Sequence, residues 1–225
     1  MNLCKMKKDK NNNITTNIHT YILKICFICI LLLNIACKEN WQIHEYYYEV
    51  YQYMDSIPCE YQAIKIIDKN GIRQQITYRY NDKHKELTGK STEYYKLIRN
   101  NILKLNNAND SGQLYMSAEY LDSCITYSTG NGLHDLVASI THCFLGKKRI
   151  KMDENTSITS YEFSKKYGMG METVLYRDFY DTSFILLKTE RISGYSGVES
   201  IRRINFIPYE FKSLLKQEQD WTQYK

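Results

Sequence analysis

The chain has 225 residues, and its 30 Lys and Arg outnumber 25 Asp and Glu by five. Residues 1–36 hold five of those Lys and one Asp, so the remaining 189 residues carry 25 basic and 24 acidic groups, a balance of +1. The basicity therefore belongs to the leader and gives no support for a nucleic-acid surface on the rest, so no nucleic-acid partner is expected, and 189 residues make one domain able to bury a sizeable core.

Lys5, Lys7, Lys8 and Lys10 precede an apolar run from Tyr21 to Cys37. Its core, 25–33, is too short to cross a bilayer, which takes about 20 apolar residues. Lys24 and Asn34 close it on either side. A positive leader, a short apolar core and a small residue at its end are the parts of a secretory signal. Asn34-Ile35-Ala36-Cys37 resembles the lipobox of bacterial lipoproteins, in which a small residue precedes a cysteine that receives a diacylglyceryl group. Ala36 and Cys37 fit that box, and Asn34 stands where the family usually has Leu. The resemblance covers the leader alone. It implies a signal peptide over 1–36, lipidation at Cys37, a short tether over 37–42 and membrane attachment through the N-terminal lipid. Lys38 in place of Asp after the cysteine points to the outer membrane, with the domain facing the periplasm or the cell surface. Plain secretion and an uncleaved anchor are the alternatives.

Beyond the tether, Ile43, Tyr47, Val50 and Met54 recur at helical spacing and predict a helix over 41–55, ended by Pro58. From Glu60 the period becomes two. Gln62, Ile64 and Ile66 share one face, and Ile72, Gln74, Ile76, Tyr78 and Tyr80 share a face of the next segment. Asn70-Gly71 between them supplies the positive φ angles of a tight hairpin turn. Residues 81–90 read as a loop. Ser91 or Thr92 caps a predicted helix with the stripe Tyr94, Leu97, Ile98, Ile102 and Leu105. Leu114, Met116, Ala118 and Tyr120 alternate as a strand that extends towards Tyr127. Leu133, Leu136, Val137, Ile140 and Phe144 predict the most amphipathic helix, stopped by Gly146. Strands follow at 149–152, 157–163, 173–179, 183–192 and 199–207. Pro208 ends the last, and a closing helix over 209–219 turns Phe211, Leu214 and Leu215 inward. The predicted fold is one α+β domain over 43–225, a mostly antiparallel sheet with three to four helices packed on it.

No motif carries catalysis, a cofactor or a metal. Gly194-Tyr195-Ser196-Gly197 lacks the spacing and the strand-to-helix setting of a nucleophile elbow and reads as a hairpin turn. Gly168-Met169-Gly170-Met171-Glu172-Thr173 begins like a dinucleotide fingerprint but has Thr in place of the third Gly, and reads as a loop. His134 and His142, eight apart on the predicted helix, are too separated to share zinc alone. Asp178 and Asp181 read as turn residues. Cys59, Cys124 and Cys143 allow one disulfide outside the cytoplasm, with the pairing open. The 21 tyrosines fill strand faces, and Tyr46, Tyr48, Tyr51 and Tyr53 form the candidate binding surface, since Tyr offers contact area at low entropy cost. The expected function is a lipid-anchored cell-envelope protein that binds and does not catalyse, with a possible protein partner. Alternatives are an immunity-type protein that occludes a toxin, and an envelope carrier or hydrolase. A carrier would show an internal cavity lined by Ile, Leu, Phe and Tyr from the late strands.

Overall fold

Asn70 and Gly71, at φ 53° and 78°, make the turn their sequence requires, and β2 (Glu60–Lys69) and β3 (Ile72–Asn81) pair antiparallel on either side of it. The computed structural model describes residues 41–52, 56–128, 139–153, 155–169, 172–194 and 198–222. The leader and Cys37 lie outside them. The other strands in chain order are β1 (Trp41–Gln52), β4 (Glu86–Ile98), β5 (Asn101–Leu105), β6 (Gln113–Ser117), β7 (Cys124–Ser128), β8 (Ser139–Lys151), β9 (Ser157–Met169), β10 (Glu172–Tyr180), β11 (Leu186–Ser193) and β12 (Val198–Ile204).

All belong to one sheet in the order β6-β5-β4-β3-β2-β1-β12-β11-β10-β9-β8-β7. Each strand pairs antiparallel with its neighbours in sequence, except β6 with β7, and the first pairs with the last through Tyr48↔Arg203 and Val50↔Ile201. The result is an up-and-down barrel, which removes most of the sheet's open edges. β6 and β7, the two ends of the sheet, lie side by side and leave one seam. Side chains close it. The Tyr115 and Tyr127 rings meet edge-on at 5.5 Å, and the Lys104 ammonium sits 5.5 Å from each and 6.0 Å from Tyr95. A disulfide joins Cys124 to Cys143, directly opposed residues of β7 and β8, and so staples the seam strand to the wall.

Two helices follow the strands: α1 (Tyr209–Gln217), which starts after Pro208, and α2 (Gln219–Thr222). They pack outside the barrel. Phe211, Leu215 and Trp221 cover the outward residues Ala63, Ile67, Ile76, Tyr78 and Tyr80 of β2 and β3. The Tyr80 and Phe211 rings stack at 4.8 Å, and Trp221 meets Tyr78 edge-on at 5.7 Å. Lys65, fully buried on the same face, donates to the carbonyls of Asp220 and Trp221 at 3.0 and 2.6 Å. Those carbonyls and the Trp221 ring, 5.6 Å from the ammonium, take the place of water around the lysine under the helices.

The α+β expectation is overturned: the described residues hold twelve strands and two short helices. Residues 41–52 are β1, and 91–105 are β4, a turn and β5. Both errors have one cause. Tyr48 and Val50 of β1 face the lumen while Tyr47 faces Trp221, so apolar residues stand on both faces and imitate a helical stripe. The 94–105 stripe runs across the β4–β5 turn, where Arg99 has φ 54° and the alternation changes phase. Of the third predicted helix, 139–144 begins β8, Gly146 at φ 118° marks an irregular register in that strand, and 129–138 lies outside the described residues. The hairpin, the late strands and the closing helix match in place and type.

Candidate functional site

Alternation along the strands gives the barrel a lumen of mixed character. Phe184 and Ile185, on the turn between β10 and β11, are buried in one end of it. Asp181 fixes that turn by accepting the backbone N–H groups of Ser183 and Ile185, each at 2.9 Å. Arg73 of β3 ties it to the wall by donating to the Ser183 carbonyl at 2.8 Å. The remaining lumen holds a cavity of about 550 Å³, within the range of roughly 300–1,000 Å³ usual for small-molecule sites.

One wall of the cavity is aliphatic, with Ile64 and Ile66 of β2 and Leu186, Val198 and Ile201 of β11 and β12. The other carries Tyr95, Tyr115, Tyr167 and Tyr180 together with Glu93 and Lys165. The polar groups of this wall are largely engaged with each other. Tyr48 donates to the Leu186 carbonyl at 2.8 Å, Tyr95 to Glu93 at 2.8 Å and Tyr180 to Asp178 at 3.2 Å. Burial pushes all three hydroxyls well above the ordinary tyrosine range, so they stay neutral donors. Asp178, fully buried, also receives Lys165 at 2.9 Å and Thr189 at 2.8 Å. Glu93 receives Lys104 at 2.7 Å, and Arg73 pairs with Asp68 at 2.9 Å. With their hydroxyls bonded to carboxylates, Tyr95 and Tyr180 turn ring surface to the cavity.

His142 stands behind this wall. Its ring meets Tyr115 edge-on at 4.7 Å, and neither ring nitrogen has a hydrogen-bond partner of good geometry, though the Tyr115 backbone is close. Burial, and next the positive Lys165, lower its pKa from 6.5 to about 4, against the opposing pull of Asp178. It is a neutral imidazole in the native state.

The predicted surface does not form as one patch. Tyr48 lines the lumen and Tyr46, half-buried, lies with its ring 5.5 Å from the Arg203 guanidinium. Tyr51 points to the outer wall, where it donates to Glu49 at 2.9 Å, and Tyr53 lies outside the described residues. The strand pleat separates them. His142 is on β8, not on a helix, and His134 lies outside the described residues. Among the described residues no three His, Cys, Asp or Glu side chains could hold a metal ion. Asp178, read as a turn residue, is a buried acceptor in the lumen, whereas Asp181 does shape a turn. Gly194 and the start of the 168–173 stretch sit at hairpin ends between strands; 170–171 and 195–197 lie outside the described residues. Sequence reasoning did not find Glu93, Tyr95, Tyr115 or Lys165 as neighbours, because their strands are far apart in the chain. The signal that was present is the Gln62, Ile64, Ile66 alternation, which does face the cavity.

No protein-family model, characterised protein or solved structure matches the chain.

Proposed function

We propose that this is a lipid-anchored envelope protein that holds a small, largely apolar molecule in the lumen of its barrel. The observation that carries the reading is the cavity of about 550 Å³, whose aliphatic wall faces the rings of Tyr95 and Tyr180, their hydroxyls bonded to Glu93 and Asp178, with Gln75, Thr77 and Ser91 adding polar groups on one side. Such a lining rewards apolar contact area and asks for few polar partners. Its apolar lining comes from early strands, through Ile64, Ile66 and Tyr95, as well as from the late strands that the carrier alternative named.

The outer wall supports a barrel in water, hung from an anchor and not spanning a bilayer. Mid-strand outward positions hold the ion pairs Glu49–Arg202 at 2.9 Å and Glu162–Arg177 at 3.0 Å, with Lys188 and Glu190 between them. A lipid-facing band would be apolar at these positions. β1 starts beside the β2–β3 turn, at the plugged end of the lumen.

The test is a titration of the full chain with a neutral solvatochromic dye, wild type against Ser91→Trp. Ser91 lines the cavity, and the indole would occupy it. One-to-one saturable binding that weakens about tenfold or more in the variant is expected from the lost contact area. Equal dye affinity in two variants of equal thermal stability would move the site out of the lumen and sink the proposal.

A further inference from the structure

The lumen's charges are compensated in its depth and less so at its mouth. Lys165 has Asp178, Lys104 has Glu93, and Arg73 has both Asp68 and a carbonyl. Arg79, also on the cavity side of β3, differs. Its side chain is 52% exposed and its ion pair is a 4.0 Å approach to Glu60, which itself accepts from Gln62 at 2.8 Å. An exposed pair at that distance contributes roughly 0–1 kcal/mol and yields easily to a better partner. Arg79 lies six residues along β3 from Arg73, towards the opposite end of the strand from the plug. Gln75, Thr77 and Ser91 line the cavity beside it, each with hydrogen-bonding capacity. Gly89 lies directly across from it on β4, and a Cβ there would come within 3.9 Å of its guanidinium.

We infer that the lumen takes an anionic amphiphile, with its carboxylate, sulfate or phosphate head on Arg79 at the mouth and its apolar body against Ile64, Ile66 and the tyrosine rings. This rests on the lumen being the binding site and adds the chemistry of the occupant. The guanidinium fork matches a planar or tetrahedral oxyanion with two parallel N–H donors. The deeper wall offers such a head no cation without a carboxylate already on it. The head therefore stays at the mouth, and the body goes in.

The experiment uses the full chain with decanoate and decanol as probes, two molecules of equal apolar length that differ in the charge of the head. Wild type is expected to bind decanoate about tenfold more tightly than decanol, the size of one charge-assisted contact. Arg79→Gln should abolish that preference and leave decanol affinity unchanged, with thermal stability intact because the side chain is exposed. Arg79→Lys should keep part of the preference, as a point charge without the fork. Equal affinities for both probes in wild type, or a preference that survives Arg79→Gln, would overturn the head-group assignment while leaving the lumen as the site. Failure of both probes to bind, or binding of both that Ser91→Trp does not weaken, would overturn the lumen reading and this inference with it.

Discussion

His142 shows how a single side chain sets a condition on the whole fold. Its neighbours on the lumen side are Lys165, Asp178, Tyr115 and, further off, Lys104, and burial outweighs the one carboxylate among them. With a native pKa lowered to about 4 from 6.5, the unfolded chain takes up a proton that the folded chain refuses anywhere between those values. Stability is therefore full above pH 6.5 and falls as pH drops towards 4, by roughly 3 kcal/mol over the window. His142→Phe keeps an aromatic edge against Tyr115 and removes both unpartnered nitrogens. Urea unfolding at pH 7.5 and pH 5.0 should show a loss of stability in wild type that shrinks sharply in the variant. The same loss in both proteins would assign the pH dependence to other groups. Asp178 makes the complementary point: three donors reach it, so an unpaired neighbour is what would harm it. Lys165→Met should cost about 3–5 kcal/mol, and pairing it with Asp178→Leu should recover most of that loss, because removing both charges removes the uncompensated one.

Among the elements, β7 is the one whose hold depends most on side chains. Among the described residues it has ladder bonds to β8 on one side and, towards β6, the side-chain contacts of Tyr127 with Tyr115 and Lys104. The Cys124–Cys143 bond spans 19 positions in sequence, and closing such a loop contributes about 3 kcal/mol through the unfolded state. Reduction, or Cys124→Ser with Cys143→Ser, should lower the urea midpoint accordingly. It should also speed amide exchange in 124–128 more than in 60–69, which is paired on both sides. Uniform protection across both strands would show that the seam is no weaker than the rest of the wall. The same elements explain what the sequence could reveal. Asn70-Gly71, the late alternating strands and the Phe211–Leu215 face were legible because turn chemistry and periodicity are local. β1 and β4 were not, because outer helices and lumen contacts cover both faces of one strand, and a turn resets the phase of the other. The lumen was hidden for a further reason: its tyrosines come from strands that meet only when β1 closes on β12.

At the scale of the whole molecule, that closure would tie the proposed binding to the intact barrel, whereas the proposed anchor belongs to the leader. β1 is bonded on one side to β2 and on the other to β12, so the first and last strands complete the wall around the cavity together. In the proposed reading, attachment would rest on Cys37. If Cys37 carries acyl chains, two or more of them give stable membrane binding where one would be marginal. The two functions should therefore come apart cleanly in one substitution. Cells fed a tagged fatty acid should label wild type and not Cys37→Ala, and the variant should shift from the membrane to the soluble fraction. The variant should still bind the neutral dye with wild-type affinity, since the lining of the lumen comes from β1 to β12, which begin at Trp41. Labelling that persists in Cys37→Ala would remove the lipobox reading and place the lipid elsewhere. A variant that loses the label and dye affinity together, though still folded, would show that the lumen is completed at the membrane, and the separation argued from the strand pairing would fail.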